Sequence, residues 1–470
     1  MIRRHRIAAI LIQASAAEGE PASHPMAGPL PGQRQLSGLG RWTRRAQSLF
    51  VSHATTTTER NAHYLATEIF WAAILSAAAA FNAPFAMRLG ATNAEIGLLS
   101  SIPALLAIVV TIPAGQFINR QARRLPLLVW SLFLHRLGFL LAIFVPWLPV
   151  PHKGTVLIWL LILFTAPAHF FNVGWGAMLA DVVPEVDRAR LFALRNILAA
   201  SAVTGGVFVA GWWLERTAFP LNYQLMYLVG FLASLVSLYY ILQLKVPEAV
   251  IAPRPRQQVS PRSLWRGARE AFNGQPDFVR LVINTLAHGL GLWMIGPLYV
   301  IYFVRTLGAT EGWLGLNGTL ANLTPILGFY LGQRAIVRWG ENRVLKWGIS
   351  VIGVYPLLVA LTPNLTPILA WTALNGLIAP SVNLSHYAML LKICPEGQRP
   401  VYLGVYTTIM NLGAFAMPLL GVELANRFGI TPILVAGGIL CLAGSSLFRI
   451  RPLQTPDSLA VRYARVSNPS

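Results

Sequence analysis

Twelve apolar runs, each near the ~20 residues a helix needs to cross a ~30 Å hydrocarbon core, fill most of the chain after residue 60. They are 64–85, 96–117, 125–146, 155–179, 191–214, 223–244, 279–303, 313–333, 343–362, 366–390, 401–422 and 430–450. No other feature narrows the possible folds as much. Inside a bilayer every backbone N–H and C=O must find its partner within the protein, so long apolar runs cross as helices. Only 11% of the residues are charged, about half of the roughly 25% usual in soluble globular chains. The expectation is an all-α, multi-pass membrane protein.

The runs form two copies of six. Asn172, Ala177-Met178-Leu179, Pro184-Glu185 and Arg188 return as Asn383, Ala388-Met389-Leu390, Pro395-Glu396 and Arg399 at one offset (383 − 172 = 211). Composition alone does not generate identity at fixed positions, so the chain carries an internal duplication. Leu89-Gly90-Ala91-Thr92 likewise recurs as Leu307-Gly308-Ala309-Thr310 (307 − 89 = 218), and at that offset Gly97 meets Gly315 and Arg120 meets Arg338. The expected organisation is a disordered cytosolic tail over 1–60, a six-helix half over 61–245, a cytosolic linker over 246–277, a second six-helix half over 278–452 and a cytosolic tail over 453–470.

A net charge of +20 would suit a nucleic-acid partner, but its placement points elsewhere. Basic residues crowd alternate loops: Arg120, Arg123 and Arg124; Arg188 and Arg190; the Arg-rich linker; Arg334, Arg338, Arg343 and Lys346; and the final tail. The intervening loops hold Arg88, Lys153, Arg216, Arg305 and Arg427. Positive loops stay on the cytosolic side, which places both termini in the cytosol, fits an even number of spans, and leaves no nucleic-acid role. A plasma (inner) membrane location is expected. Cys394 and Cys441 lie far apart, so neither a disulfide framework nor a metal cluster follows. GxSxG, HExxH and phosphate-binding Gly loops are absent from the sequence, so no enzyme chemistry and no cofactor are expected.

The loop after the second run reads Gly115-Gln116-Phe117-Ile118-Asn119-Arg120-Gln121-Ala122-Arg123-Arg124. It resembles the Gly-x-Leu-Ala-Asp-Arg-x-Gly-Arg-Arg motif of the major facilitator superfamily of secondary transporters. Asn119 replaces the acid and Ala122 the second glycine. Gly332, Arg338, Gly340 and Arg343 form a weaker second copy, and Asp181, Pro184, Glu185 and Arg188 resemble the family's junction between spans 4 and 5. The resemblance covers nearly everything after residue 60. It implies twelve transmembrane helices in two pseudo-symmetric halves, a central cavity lined by spans 1, 4, 7 and 10, outer supports in spans 3, 6, 9 and 12, and a monomer. It also implies a cytosolic gate of Gly115, Asn119, Arg120, Arg123 and Arg124 closing on Asp181, with Arg120 and Arg195 as the acid's candidate partners. Service in insertion topology alone is the other reading of these charges.

Ionisable groups inside spans are costly and usually mark function. Arg136 sits near the middle of run 3, as a substrate or coupling group or as a packed structural ion. Glu68 lies about a turn inside run 1, as a proton carrier or as a carboxylate reaching the interface. His169 and Asn172 in run 4, Asn284 and His288 in run 7, and Asn375, Asn383 and His386 in run 10 complete the candidate set; interhelical hydrogen bonding is the alternative for each. The signatures of the family's drug antiporters and sugar porters are not complete here. The function expected is transmembrane transport of a small organic solute by alternating access, with a proton as coupling ion. A transporter-like sensor that binds solute without flux is the alternative.

Overall fold

A computed structural model describes residues 56–121, 123–246, 266, 269–270, 272–395 and 398–453. Most of the expected N-terminal tail and linker, and all of the final tail after 453, lie outside the described residues. Twelve membrane-length helices appear among the described residues, and no strand does. They are α1 (Thr57–Arg88, a helix Thr57–Ala79 that breaks and resumes at Asn82), α2 (Asn93–Arg120), α3 (Arg124–Ala142), α4 (Lys153–Val182), α5 (Glu185–Arg216) and α6 (Leu221–Leu242). The second set is α7 (Pro276–Thr306, ending in a π-helical turn), α8 (Glu311–Trp339), α9 (Glu341–Ala360), α10 (Leu365–Ile393), α11 (Arg399–Phe428) and α12 (Ile430–Ile450).

Eleven of these are apolar enough to cross a membrane by composition. The exception is α8, diluted by Asn317, Thr319, Asn322 and Thr324. Three of these satisfy themselves by donating to carbonyls one turn back: Thr319 to Gly315, Asn322 to Gly318 and Thr324 to Leu320. The helix is also sandwiched between α5 and α10, so its polar atoms are spared lipid.

The repeated Leu-Gly-Ala-Thr is a helix-restart device. Gly90 and Gly308 adopt positive φ (87° and 66°), a conformation that only glycine enters freely. Thr92 and Thr310 then cap α2 and α8 by accepting from the backbone N–H of Glu95 and Trp313, which satisfies otherwise orphaned donors.

Duplication in sequence becomes duplication in packing. Helix α1 packs on α5 and α6, α2 on α4, and α3 on α4 and α6. Adding six to each number gives α7 on α11 and α12, α8 on α10, and α9 on α10 and α12, all observed. The halves meet through α2 with α11 and α5 with α8, a pair of contacts that also exchange under the same shift. Close approach here depends on Gly211 and Gly315: a Cβ on Gly211 would stand 2.6 Å from the Gly315 Cα.

The apolar core differs between the two ends of the bundle. Toward the less basic end, one cluster joins both halves, running from Phe85, Ile96 and Leu214 to Leu298, Val422 and Leu434. Toward the basic end there are two clusters. One, around Leu65, Leu128 and Met178, belongs to the first half; the other, around Phe278, Leu345 and Tyr402, belongs to the second. Among the described residues, the apolar core is shared by the halves at one end and divided between them at the other.

Candidate functional site

The first half buries a charged network at the junction of four helices. Glu68 on α1 is 3% exposed and pairs with Arg195 on α5 at 2.6 Å. Its other oxygen accepts from the Ser237 hydroxyl on α6 at 3.0 Å. Arg136 on α3 is equally buried and donates to the Ser237 hydroxyl at 2.8 Å and to the Ser234 carbonyl. Arg195 also donates to the Leu65 carbonyl and lies over the Trp175 ring of α4, 5.2 Å from its centroid. One carboxylate therefore serves two guanidinium groups in a low-dielectric interior. Of the two readings open for Arg136, its observed contacts are those of a packed ion.

This corrects the expected partners of Asp181. Arg195 lies ten residues into α5 (195 − 185 = 10), about 15 Å along the helix at 1.5 Å per residue, too deep to reach the last turn of α4. Arg120 ends α2 exposed. Asp181 pairs instead with Arg124, at 3.3 Å. Of the other gate residues, Gly115 faces Val173 of α4 at ordinary contact distance. Arg123 is the exposed residue before α3, and the Asn119 side chain lies outside the described residues. Arg124–Asp181 and its counterpart Lys392–Glu341, 2.6 Å, each stay within one half.

In the second half, Asn284 is wholly buried and donates to the Leu447 and Arg451 carbonyls at the end of α12 (3.3 and 3.4 Å). Asn61, which the sequence did not single out, does the same from α1, donating to the Lys245 carbonyl beyond α6 at 2.8 Å. His288 bonds Ser445 and the Cys441 carbonyl of α12 through Nδ1 (3.0 and 3.1 Å). These residues tie helices together, as buried polar groups in membranes commonly do.

His386 of α10 is half-buried, and its Nε2 shares hydrogen bonds with Thr285 of α7 (2.9 Å) and Tyr406 of α11 (3.4 Å). The repeat offset of 211 carries Trp175 onto His386 and Arg195 onto Tyr406 (386 − 175 = 406 − 195 = 211). The two halves thus hold a charged and a neutral version of one junction. Asn172 and Asn383, also repeat partners, are both exposed. His169 is half-buried, and the buried Oδ1 of Asn375 accepts no hydrogen bond.

At the fused end, polar bonds join the halves. Glu311 opens α8, where a carboxylate is favoured by the helix dipole; it pairs with Arg88 of α1 at 2.6 Å and accepts from the Tyr223 hydroxyl at 3.4 Å. Asn93 donates to Asn426 at 2.9 Å, and Arg305 donates to the Asn93 side chain and the Ala91 carbonyl. Glu311 was missed in the sequence although it directly follows the second Leu-Gly-Ala-Thr. Nothing in the sequence marked Ser234 or Ser237. Among the described residues no group of three or more potential metal ligands occurs.

Comparison with known proteins agrees with this architecture. The family model Major Facilitator Superfamily matches residues 62–276 and 281–465. An uncharacterized MFS-type transporter of Methanocaldococcus jannaschii is 23% identical over 340 residues, covering 70% of this chain and 82% of that protein. Among solved structures, the nucleoside transporter NupG superposes with a TM-score of 0.66 at 12% identity, covering 83% of this chain and 99% of that one. A bacterial homolog of the human lysosomal transporter Spinster, inward-facing and unoccupied, gives 0.61 at 14% identity, covering 86% and 100%. With twelve helices, a duplicated packing pattern and a family match over both halves, the chain belongs to the major facilitator superfamily, as a multi-pass membrane transporter.

Proposed function

We propose that this protein carries a small organic solute across the plasma (inner) membrane by alternating access, driven by a proton taken up at Glu68, with the basic end and both termini in the cytosol. The observation that carries the reading is the split core. A core that, among the described residues, joins the halves at the less basic end and is divided between them at the basic end fits one extreme of a rocking cycle about a midplane site. In the proposed orientation it is the inward-open extreme. The Spinster homolog is described as inward-facing, and the solute of NupG, a nucleoside, is likewise a small organic molecule. For coupling, α5 contributes Arg195 to Glu68 and also packs on α8 across the halves. A disturbance of this pair during rocking is the proposed link between solute movement and the proton.

The test uses the hydrogen-bonded pair Asn93 and Asn426. Protein carrying Asn93→Cys and Asn426→Cys is reconstituted in liposomes and screened with a solute panel under an imposed pH gradient. Oxidation should stop flux and reduction restore it. Undiminished flux through cross-linked protein would refute alternating access at this gate. Glu68→Gln should abolish gradient-driven accumulation yet keep solute exchange; retained accumulation would leave Glu68 a structural ion.

A further inference from the structure

The first half carries a half-open cavity of about 360 Å³ among α1, α2, α3 and α4, the small end of the ~300–1,000 Å³ range of ligand pockets. It begins where α1 breaks, at Ala79, Ala80 and Asn82, and reaches His135 on α3 and Thr165 on α4. At the corresponding helices of the second half, polar side chains are bonded to one another. Tyr355 of α9 meets Thr372 of α10 at 3.2 Å, Thr372 donates to Asn317 of α8 at 2.7 Å, and the Tyr355 ring lies 5.5 Å from Tyr299 of α7. Gly138 admits α3 close to α4, since a Cβ there would stand 2.6 Å from the Phe164 Cβ. That approach lets His135, from a helix at the periphery of the half, reach the cavity.

The lining has hydrogen-bonding groups but no charge. His135 Nδ1 lies 2.8 Å from the Phe164 carbonyl. A carbonyl only accepts, so Nδ1 carries the proton and Nε2 is left as an acceptor. Thr165 spends its proton on the Leu161 carbonyl and keeps acceptor lone pairs. Asn82 accepts from the Tyr227 hydroxyl at 2.6 Å, which orients its amide and leaves N–H donors. The neighbouring Arg136 is turned to Ser234 and Ser237 on α6. The cavity thus offers two acceptors and one donor against alanine, leucine and phenylalanine walls.

We infer that this cavity is the solute subsite of the first half, and that it takes a neutral, compact molecule: a hydrocarbon ring or branched body bearing a hydroxyl or amide, not an anion or cation. A charged group placed there would lose its hydration without an opposite charge in the lining. The inference deepens the transport reading and rests on it only in calling the ligand a solute.

The test is binding, which needs no flux. Ala80→Cys places a thiol on the exposed rim, while Cys394 and Cys441 are buried. Its modification by N-ethylmaleimide is timed in purified protein with cyclohexanol, ε-caprolactam, cyclohexanecarboxylate or cyclohexylammonium. The neutral pair should slow labelling and the ions should not. Asn82→Leu and Thr165→Val, each removing one hydrogen-bonding group, should weaken that protection about fivefold. The near-isosteric Thr165→Val keeps the test alive if Asn82→Leu fails to fold. Ions that protect as well as neutral probes, protection unchanged in the variants, or no protection by any probe would overturn the inference. Protection without flux would leave this subsite standing and sink the transport reading; flux that stops on cross-linking Asn93→Cys to Asn426→Cys, without protection, would do the reverse.

Discussion

The network around Glu68 sets up a test of charge counting. Glu68 faces Arg195 directly and Arg136 through Ser237, so one negative charge is buried with two positive ones. Glu68→Gln preserves shape but leaves two guanidinium groups without a counter-charge. Breaking a buried pair from one side costs about 3–5 kcal/mol. At roughly 2–4 °C per kcal/mol for a domain of this size, unfolding of the first half should begin about 10 °C lower. Arg136→Met should cost less, about 1–3 kcal/mol, because it loses the bonds to Ser234 and Ser237 while leaving Glu68 and Arg195 balanced. The double variant is the informative one. With Arg136 gone, only Arg195 remains uncompensated, so the combined cost should fall short of the sum by about 1 kcal/mol or more. The assay is thermal unfolding of detergent-purified protein by tryptophan fluorescence, with monodispersity checked in parallel. An unshifted midpoint for Glu68→Gln, or full additivity in the double variant, would refute the reasoning.

Further outcomes follow from the same structure. Asn61→Ala and Asn284→Ala each strip donors from carbonyls ending α6 and α12; both should lose about 1–3 kcal/mol in the same melting assay. Glu311→Gln should weaken the closed end. Because Arg88 is 56% exposed at its side chain, solvent screening limits the effect to about 1 kcal/mol, or roughly fivefold faster maleimide labelling of Asn426→Cys. Burial pushes the Cys394 thiol up to about 11, so its reactive thiolate is scarce at neutral pH. Maleimide labelling of the folded wild type should be slow at pH 7 and climb about tenfold per pH unit toward 11; rapid labelling at pH 7 would contradict the burial.

Much of the fold was legible because membrane constraints act locally. Apolar run length gave the spans, and matched residues at fixed offsets, the repeated Leu-Gly-Ala-Thr among them, gave the two halves. The less apolar α8 was still found, since its polar residues are dispersed through an apolar helix and bond within it. The candidate residues were less legible. Polar residues in spans stand out by their cost, but the sequence does not say which neighbour meets that cost. Glu68 and Arg136 were noticed separately; their link is a serine on α6, a residue type common in any helix. The resemblance offers Arg195 as one of two candidate partners of Asp181, whereas depth along α5 places it against Glu68. The roles of Asn61 and Glu311 depend on helices remote in sequence, so no local pattern revealed them.

By itself, then, the sequence determined that the chain crosses the membrane as helices, that it does so as two related sets of six, and which loops carry the positive charge. These follow from hydrophobic length, identity at fixed offsets and charge placement, all of them one-dimensional quantities. The tertiary structure decided which charges neutralise one another, which end of the halves is closed, and that a cavity lies at the break in α1. Those properties depend on which helix faces touch and at what depth, and a helix with several polar positions has several possible neighbours until packing selects one.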